Sequence, residues 1–175
     1  MATIQTNSPW HDKTEVKKGD YAELIVQRRF EAKGFVLYVP VTDKAHGFDR
    51  YLYKDSKQYA LEIKAKSMCK KYPETGFNKR NYDRYCAMSD ENNIPVLIVF
   101  VDHEQRAIYG NTLAALRKPL FIPELGEKGH YPKITTHKGG SCPTVYFHKS
   151  SMKHFGDLTD TEVKTLKLLT KEETS

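Results

Sequence analysis

Residues 60–67 read "ALEIKAKS", and the fold of the chain turns on how that stretch is read. Side chains alternate along a strand, so Tyr59, Leu61 and Ile63 take one face and Ala60, Glu62 and Lys64 the other. Such a strand either leaves a charge pair in solvent or aims a carboxylate and an ammonium together into a site. Its neighbours favour a sheet. Phe48 to Tyr53 and Gln58 to Lys64 read as two strands joined by the turn "KDSK". Pro73 and Gly76 mark a loop, and Lys79 to Asn92 then has helical spacing. "IPVLIVFV", residues 94–101, is the most apolar run in the chain and reads as a strand buried on both faces.

Upstream, a helix is expected from Gly19 to Lys33, with Gly34 as its C′ residue, and then a strand from Phe35 to Val39 stopped by Pro40. Downstream, the turn Asp102 to Gln105 leads to a strand from Arg106 to Tyr109. Asn111 or Thr112 then caps a short helix through Leu116. Residues 118–143 are broken by proline and glycine and carry Lys128, Lys133 and Lys138, so they read as a long basic loop. Thr144 to Phe147 is a strand. In "LTDTEV" Thr159 caps a last helix, with Glu162 completing a capping box and Leu158 with Val163 forming the staple. The order α-β-β-β-α-β-β-α predicts an α/β fold with a mixed central sheet flanked by helices. Residues 1–17 read as a loose lead-in and 18–175 as one domain.

The chain has 175 residues, 39% hydrophobic and 29% charged, with 28 Lys and Arg against 22 Asp and Glu. The net charge of +6 and a pI near 9.1 draw it toward polyanions, of which nucleic acid is the commonest. No apolar run approaches the roughly 20 residues a bilayer-spanning helix needs. The first residues lack an apolar signal core. Cys69, Cys86 and Cys142 are widely spaced, odd in number and without a C-x-x-C pair, which favours a reducing cytoplasm.

The hairpin has a computable register. Tyr53 faces Gln58, Tyr51 faces Ala60, and Asp49 faces Glu62. Opposed residues share a face with Cβ atoms roughly 5 Å apart, so Asp49, Glu62 and Lys64 cluster. Two opposed carboxylates repel, and a divalent cation between them removes the objection. Mg²⁺ suits one or two carboxylates completed by waters and phosphate oxygens. Lys64 beside it would hold a water or stabilise charge developing on a phosphate. Glu23 lies at the edge of the apolar stripe Ala22, Val26 and Phe30, which points it at the sheet margin.

Other polar residues carry two readings each. Lys66 continues the Glu62 face as a DNA contact or as a plain surface lysine. His46 is a phosphate contact or an exposed loop histidine. Lys79, Arg80 and Arg84, with Tyr82 and Tyr85 interleaved, either grip a nucleic-acid strand or form the outer side of an amphipathic helix. His130, His137, Cys142, His148 and His154 have spacings that match no zinc knuckle.

Residues 19–66 resemble the PD-(D/E)XK nuclease superfamily, most closely the archaeal Holliday-junction resolvases and related phage endonucleases. The shared pattern is a Glu in the first helix, a Gly-Phe entering the first strand, an Asp, and Glu-x-Lys on the next strand. Here these are Glu23, Gly34-Phe35, Asp49, and Glu62 with Lys64. "HGFD" replaces the family's Pro before the Asp. Asn81-x-x-x-Tyr85 stands where RecB-type nucleases carry Q-x-x-x-Y.

The resemblance implies a restriction-endonuclease-like core and hydrolysis of DNA phosphodiesters. Asp49, Glu62 and the Ile63 carbonyl would bind Mg²⁺, with Mn²⁺ able to substitute. Lys64 would position the attacking water, and Glu23 would support the metal or its water shell. It also implies a homodimer, because resolving a two-fold junction needs two active sites. A restriction-type duplex endonuclease, and a catalytically silent protein of this fold that only binds nucleic acid or a protein, are the alternatives.

Overall fold

The computed structural model describes residues 14–40, 47–136 and 142–171. His46 and His137 lie outside them. A six-stranded mixed sheet divides the described chain into two cores. Helix α1, Thr14–Glu31, leads into β1, Val36–Tyr38, at one sheet edge. β2, Arg50–Lys54, and β3, Lys57–Lys64, form the expected hairpin, and β4 is Glu74–Asn78. After α2, Lys79–Asn92, come β5, Val96–Asp102, β6, Ala107–Thr112, and the short α3, Leu113–Leu116. Three short strands follow: β7 (Leu120–Phe121), β8 (His130–Tyr131) and β9 (Lys133–Thr135). The chain ends in β10 (Thr144–His148), β11 (Lys153–Asp157) and α4 (Asp160–Lys171). The main sheet runs β1-β2-β3-β5-β6-β11, and β3 lies parallel to β5, the pairing that the α2 crossover permits.

On one face, α1 and α4 bury Ala22, Val26, Phe30, Val163 and Leu166 against Leu52, Leu61, Ile63, Val99 and Val101. On the other, Tyr85 of α2 and Phe77, Val145 and Phe147 of a second sheet, β4-β10-β9, pack on Ala60, Ile98 and Phe100. The expected α/β architecture with a mixed central sheet flanked by helices is therefore present.

Local chemistry explains the turns. Asp55 and Ser56 both have positive φ, 49° and 59°, so a two-residue turn joins Lys54 to Lys57 and fixes the predicted pairs Tyr53 with Gln58 and Tyr51 with Ala60. Gly34 takes φ 80°, and its N–H and that of Phe35 bond back to the Glu31 and Phe30 carbonyls in a Schellman end. The capping box is formed as read: Glu162 N–H donates to Thr159 Oγ1 and Thr159 N–H to Glu162 Oε2. Thr112 caps α3 through the Ala115 N–H.

Five expectations need correction. α1 begins at Thr14, before the expected Gly19, and so takes in the end of the segment read as a lead-in. β1 is shorter than the Phe35–Val39 strand, and Val36 and Tyr38 are exposed because it is an edge. The stretch around Pro73 and Gly76 is not a loop but leads into β4, and residues 118–143 contain β7, β8 and β9. β11 lacks a clear apolar pattern and was not expected.

Gly76 explains itself in β4: a Cβ there would lie 1.9 Å from the Val145 carbonyl oxygen of β10. Backbone cannot yield as a side-chain tip can. Gly76→Ala is therefore expected to destabilise the chain by about 3 kcal/mol or more, within the range for overpacked interiors and beyond. Urea denaturation measures it, and a change under 1 kcal/mol would contradict this packing.

Candidate active site

The carboxyl end of β3 is where the two faces of the sheet communicate. Ala60, Glu62 and the side chain of Tyr51 lie on the α2 side, whereas Leu61 and Leu52 face α1. Glu62 is only 3% exposed, unusual for a carboxylate. Its Oε1 accepts hydrogen bonds from both the Lys64 ammonium and the Tyr85 hydroxyl. Glu62 and Lys64 thus share one buried polar network, and the solvated-strand reading fails.

Asp49 arrives by a different route from the one expected. The hairpin ladder ends at Arg50 with Leu61, and Asp49 N–H donates instead to the Leu61 carbonyl at 3.1 Å. The chain bends there, and the Asp49 carboxylate accepts the Ile63 N–H at 2.6 Å. Asp49 and Glu62 are therefore not a regular cross-strand pair, yet they remain close enough to feel each other. Burial, then the charge of Asp49, raises the Glu62 pKa above its ordinary value, with Lys64 opposing.

Glu23 reaches the same place from α1. Burial, then the negative charge of Asp49, pushes its carboxyl up to about 7. Arg50 opposes that shift through a 2.8 Å ion pair with Glu23, and also donates to the Asp49 carbonyl oxygen at 2.7 Å. Alternation puts Arg50 on the α1 side, next to Leu52, which is how it meets Glu23 of that helix.

The helix-2 cations divide. Lys79 pairs with Asp83 at 2.6 Å, and Arg80 and Arg84 are exposed. Tyr82 and Tyr85 turn inward against Phe77, so their rings are unavailable for stacking on bases. Of the two sequence readings of Tyr85, base stacking or core contact, neither includes its hydrogen bond to Glu62. The available signal was its place in Asn81-x-x-x-Tyr85 on the helix after the Glu-x-Lys strand. Arg50 carried no signal.

Solved structures similar to this chain include two nucleases. One is Hjc, a Holliday junction resolvase from the archaeal hyperthermophile Archaeoglobus fulgidus, at 10% identity and a TM-score of 0.49, covering 77% of this chain and 86% of that one. The other is D212, a nuclease from a fusselovirus, at 12% identity and a TM-score of 0.44, covering 95% of this chain and 96% of that one. No protein-family model and no curated protein matches the sequence.

Among the described residues, no three His, Cys, Asp or Glu side chains converge as a ready-made metal cage. Asp49 and Glu62 supply two neighbouring carboxylates; burial, then the charge of Asp49, raises the Glu62 pKa, and this all-oxygen donor pair would suit a hard divalent cation. Among the described residues no helix is long and apolar enough to cross a membrane.

The raised Glu23 pKa has a consequence for stability. Between the ordinary value of 4.5 and about 7, the folded chain holds a proton that the unfolded chain releases. Stability is therefore fully present below that window and declines as pH rises through it. Thermal denaturation from pH 4 to pH 8 without divalent ions is expected to show this decline, and Glu23→Gln to flatten it. An equal decline in the variant would contradict the assignment.

Proposed function

We propose that the chain is a metal-dependent DNA endonuclease acting on branched or structured DNA as a homodimer. The observation that carries this reading is the buried Glu62, bonded to Lys64 and held near Asp49 at the carboxyl end of β3. The Glu-x-Lys spacing and the α/β core agree with the PD-(D/E)XK resemblance.

Asp49, Glu62 and the Ile63 carbonyl would hold Mg²⁺ or Mn²⁺. When bound, the cation would supply charge neutralisation at the phosphate and a more acidic water. The chain's own groups do the rest. Tyr85 fixes the rotamer of Glu62, and Lys64, bonded to the same oxygen, stands ready to orient the attacking water. Water attacks phosphorus and gives up a proton to solvent as its P–O bond forms, the P–O bond to the departing sugar oxygen breaks, and that oxygen takes up a proton from solvent. Glu23, tied to Arg50, supports the site from the helix side.

The test is cleavage of labelled single-stranded, duplex, flap and four-way-junction DNA with Mg²⁺. Preferential cutting of the junction supports the resolvase-like reading. Preference for unbranched duplex would replace it with a restriction-type enzyme. Binding without cutting on every form would make the chain a silent binder.

A further inference from the structure

A row of cations runs away from Lys64 that the proposed chemistry does not use. The stretch 64–73, "KAKSMCKKYP", contains Lys64, Lys66, Lys70 and Lys71 and no acid. It carries the chain from β3 to β4, and β9 brings Lys133 alongside, opposite Tyr146 of β10. Three of these lysines are threaded between two rings. The Lys66 and Lys133 ammonium groups each sit 5.9 Å from the centroid of Tyr146. Lys133 also sits 5.0 Å from the Tyr72 ring, and Lys71 sits 5.5 Å from that same ring. The order in space is Lys66, Tyr146, Lys133, Tyr72, Lys71.

The middle cation is fixed most firmly. Lys133 pairs at 2.5 Å with Glu74, which is 4% exposed, and a third ring, Tyr131, lies 5.1 Å from its ammonium. Tyr131 donates its hydroxyl to that same carboxylate. Lys66 and Lys71 are exposed at the two ends. Like charges held in a row repel, and Glu74 is the one acid that the structure pairs with Lys133. A regularly spaced polyanion answers that arrangement, because each phosphate offsets a neighbouring cation and releases its own counterions. Tyr131 and Tyr146 are buried, and the half-buried Tyr72 already holds the Lys71 and Lys133 ammonium groups against its ring, so the row suits backbone rather than base recognition.

We propose that Lys66, Lys133 and Lys71 form a phosphodiester-backbone site that holds the nucleic-acid strand beside the scissile bond, continuing from Lys64 along the β3–β4 connection. This rests on the nuclease reading for its substrate, and it adds where that substrate lies.

The test is fluorescence anisotropy of labelled duplex and four-way-junction DNA in EDTA, titrated at several salt concentrations. The variants are Lys66→Ala with Lys71→Ala, and separately Lys133→Gln with Glu74→Gln, which keeps the buried pair neutral and the net charge unchanged. Lys57→Ala with Lys164→Ala, at the hairpin tip and on α4, removes the same charge elsewhere. Losing two phosphate contacts is expected to make the slope of log affinity against log salt shallower by about 1.8, so that affinity changes roughly 12-fold less between 50 and 200 mM salt. The control pair is expected to keep the wild-type slope, and the neutral pair to weaken binding several-fold at unchanged net charge. A Lys66/Lys71 slope equal to the control's overturns the row, as does a wild type that binds neither DNA. The nuclease reading fails separately: if the row variants lose affinity but wild type with Mg²⁺ cuts nothing, the row stands as a binding site and the chemistry does not.

Discussion

Glu62→Gln is expected to lower metal-dependent cleavage by at least about 10³-fold, roughly 4 kcal/mol of transition-state stabilisation, while the protein stays folded. Gln keeps a side-chain oxygen where Glu62 accepts from Tyr85 and Lys64, so the local network survives. It removes a buried negative charge that burial and Asp49 already disfavour. The melting temperature without metal should therefore hold or rise. Single-turnover cleavage together with a thermal melt separates the two effects. A folded variant cutting at the wild-type rate would reduce Glu62 to a packing residue.

Asp49 has two tasks, and two substitutions separate them. Its carboxylate accepts the Ile63 N–H at 2.6 Å and also contributes negative charge beside Glu62. Asp49→Ala removes both. It should abolish cleavage and destabilise the chain by about 1–3 kcal/mol, because the Ile63 N–H loses its acceptor. Asp49→Asn keeps an acceptor but not the charge, so cleavage should fall about as far as in Asp49→Ala with much less loss of stability. Mg²⁺ supplies a further readout: it should raise the melting temperature of wild type by mass action, and of Asp49→Asn hardly at all. Equal stabilisation of both proteins would place the ion elsewhere.

Much of this site was legible because its parts are local or set by a short turn. Asp55 and Ser56 in a two-residue turn fix the register, and the register carries the Glu62 and Lys64 side chains to one face. The helix ends at Gly34 and Thr159 follow from residue types alone. What escaped depends on distant chain segments. β4 was hidden because Pro73 and Gly76 imitate a loop, and only the approach of the Val145 backbone explains why glycine is needed in a strand. The pair of Arg50 with Glu23 joins β2 to α1, and neither residue announces the other. The bend at Asp49 also breaks the ideal pairing one residue before the ladder would have reached Glu62. The lysine row escaped for the same reason: Lys133 is far from Lys66 in sequence and meets it only across Tyr146.

One measurement bears most directly on the reading of β3 as a catalytic strand: cleavage of a labelled four-way junction by wild type and Glu62→Gln, each in Mg²⁺ and in EDTA. Cutting by wild type in Mg²⁺, lost in EDTA and lost in Glu62→Gln, is the expected result. Cutting that persists in EDTA, or that Glu62→Gln retains, would contradict it.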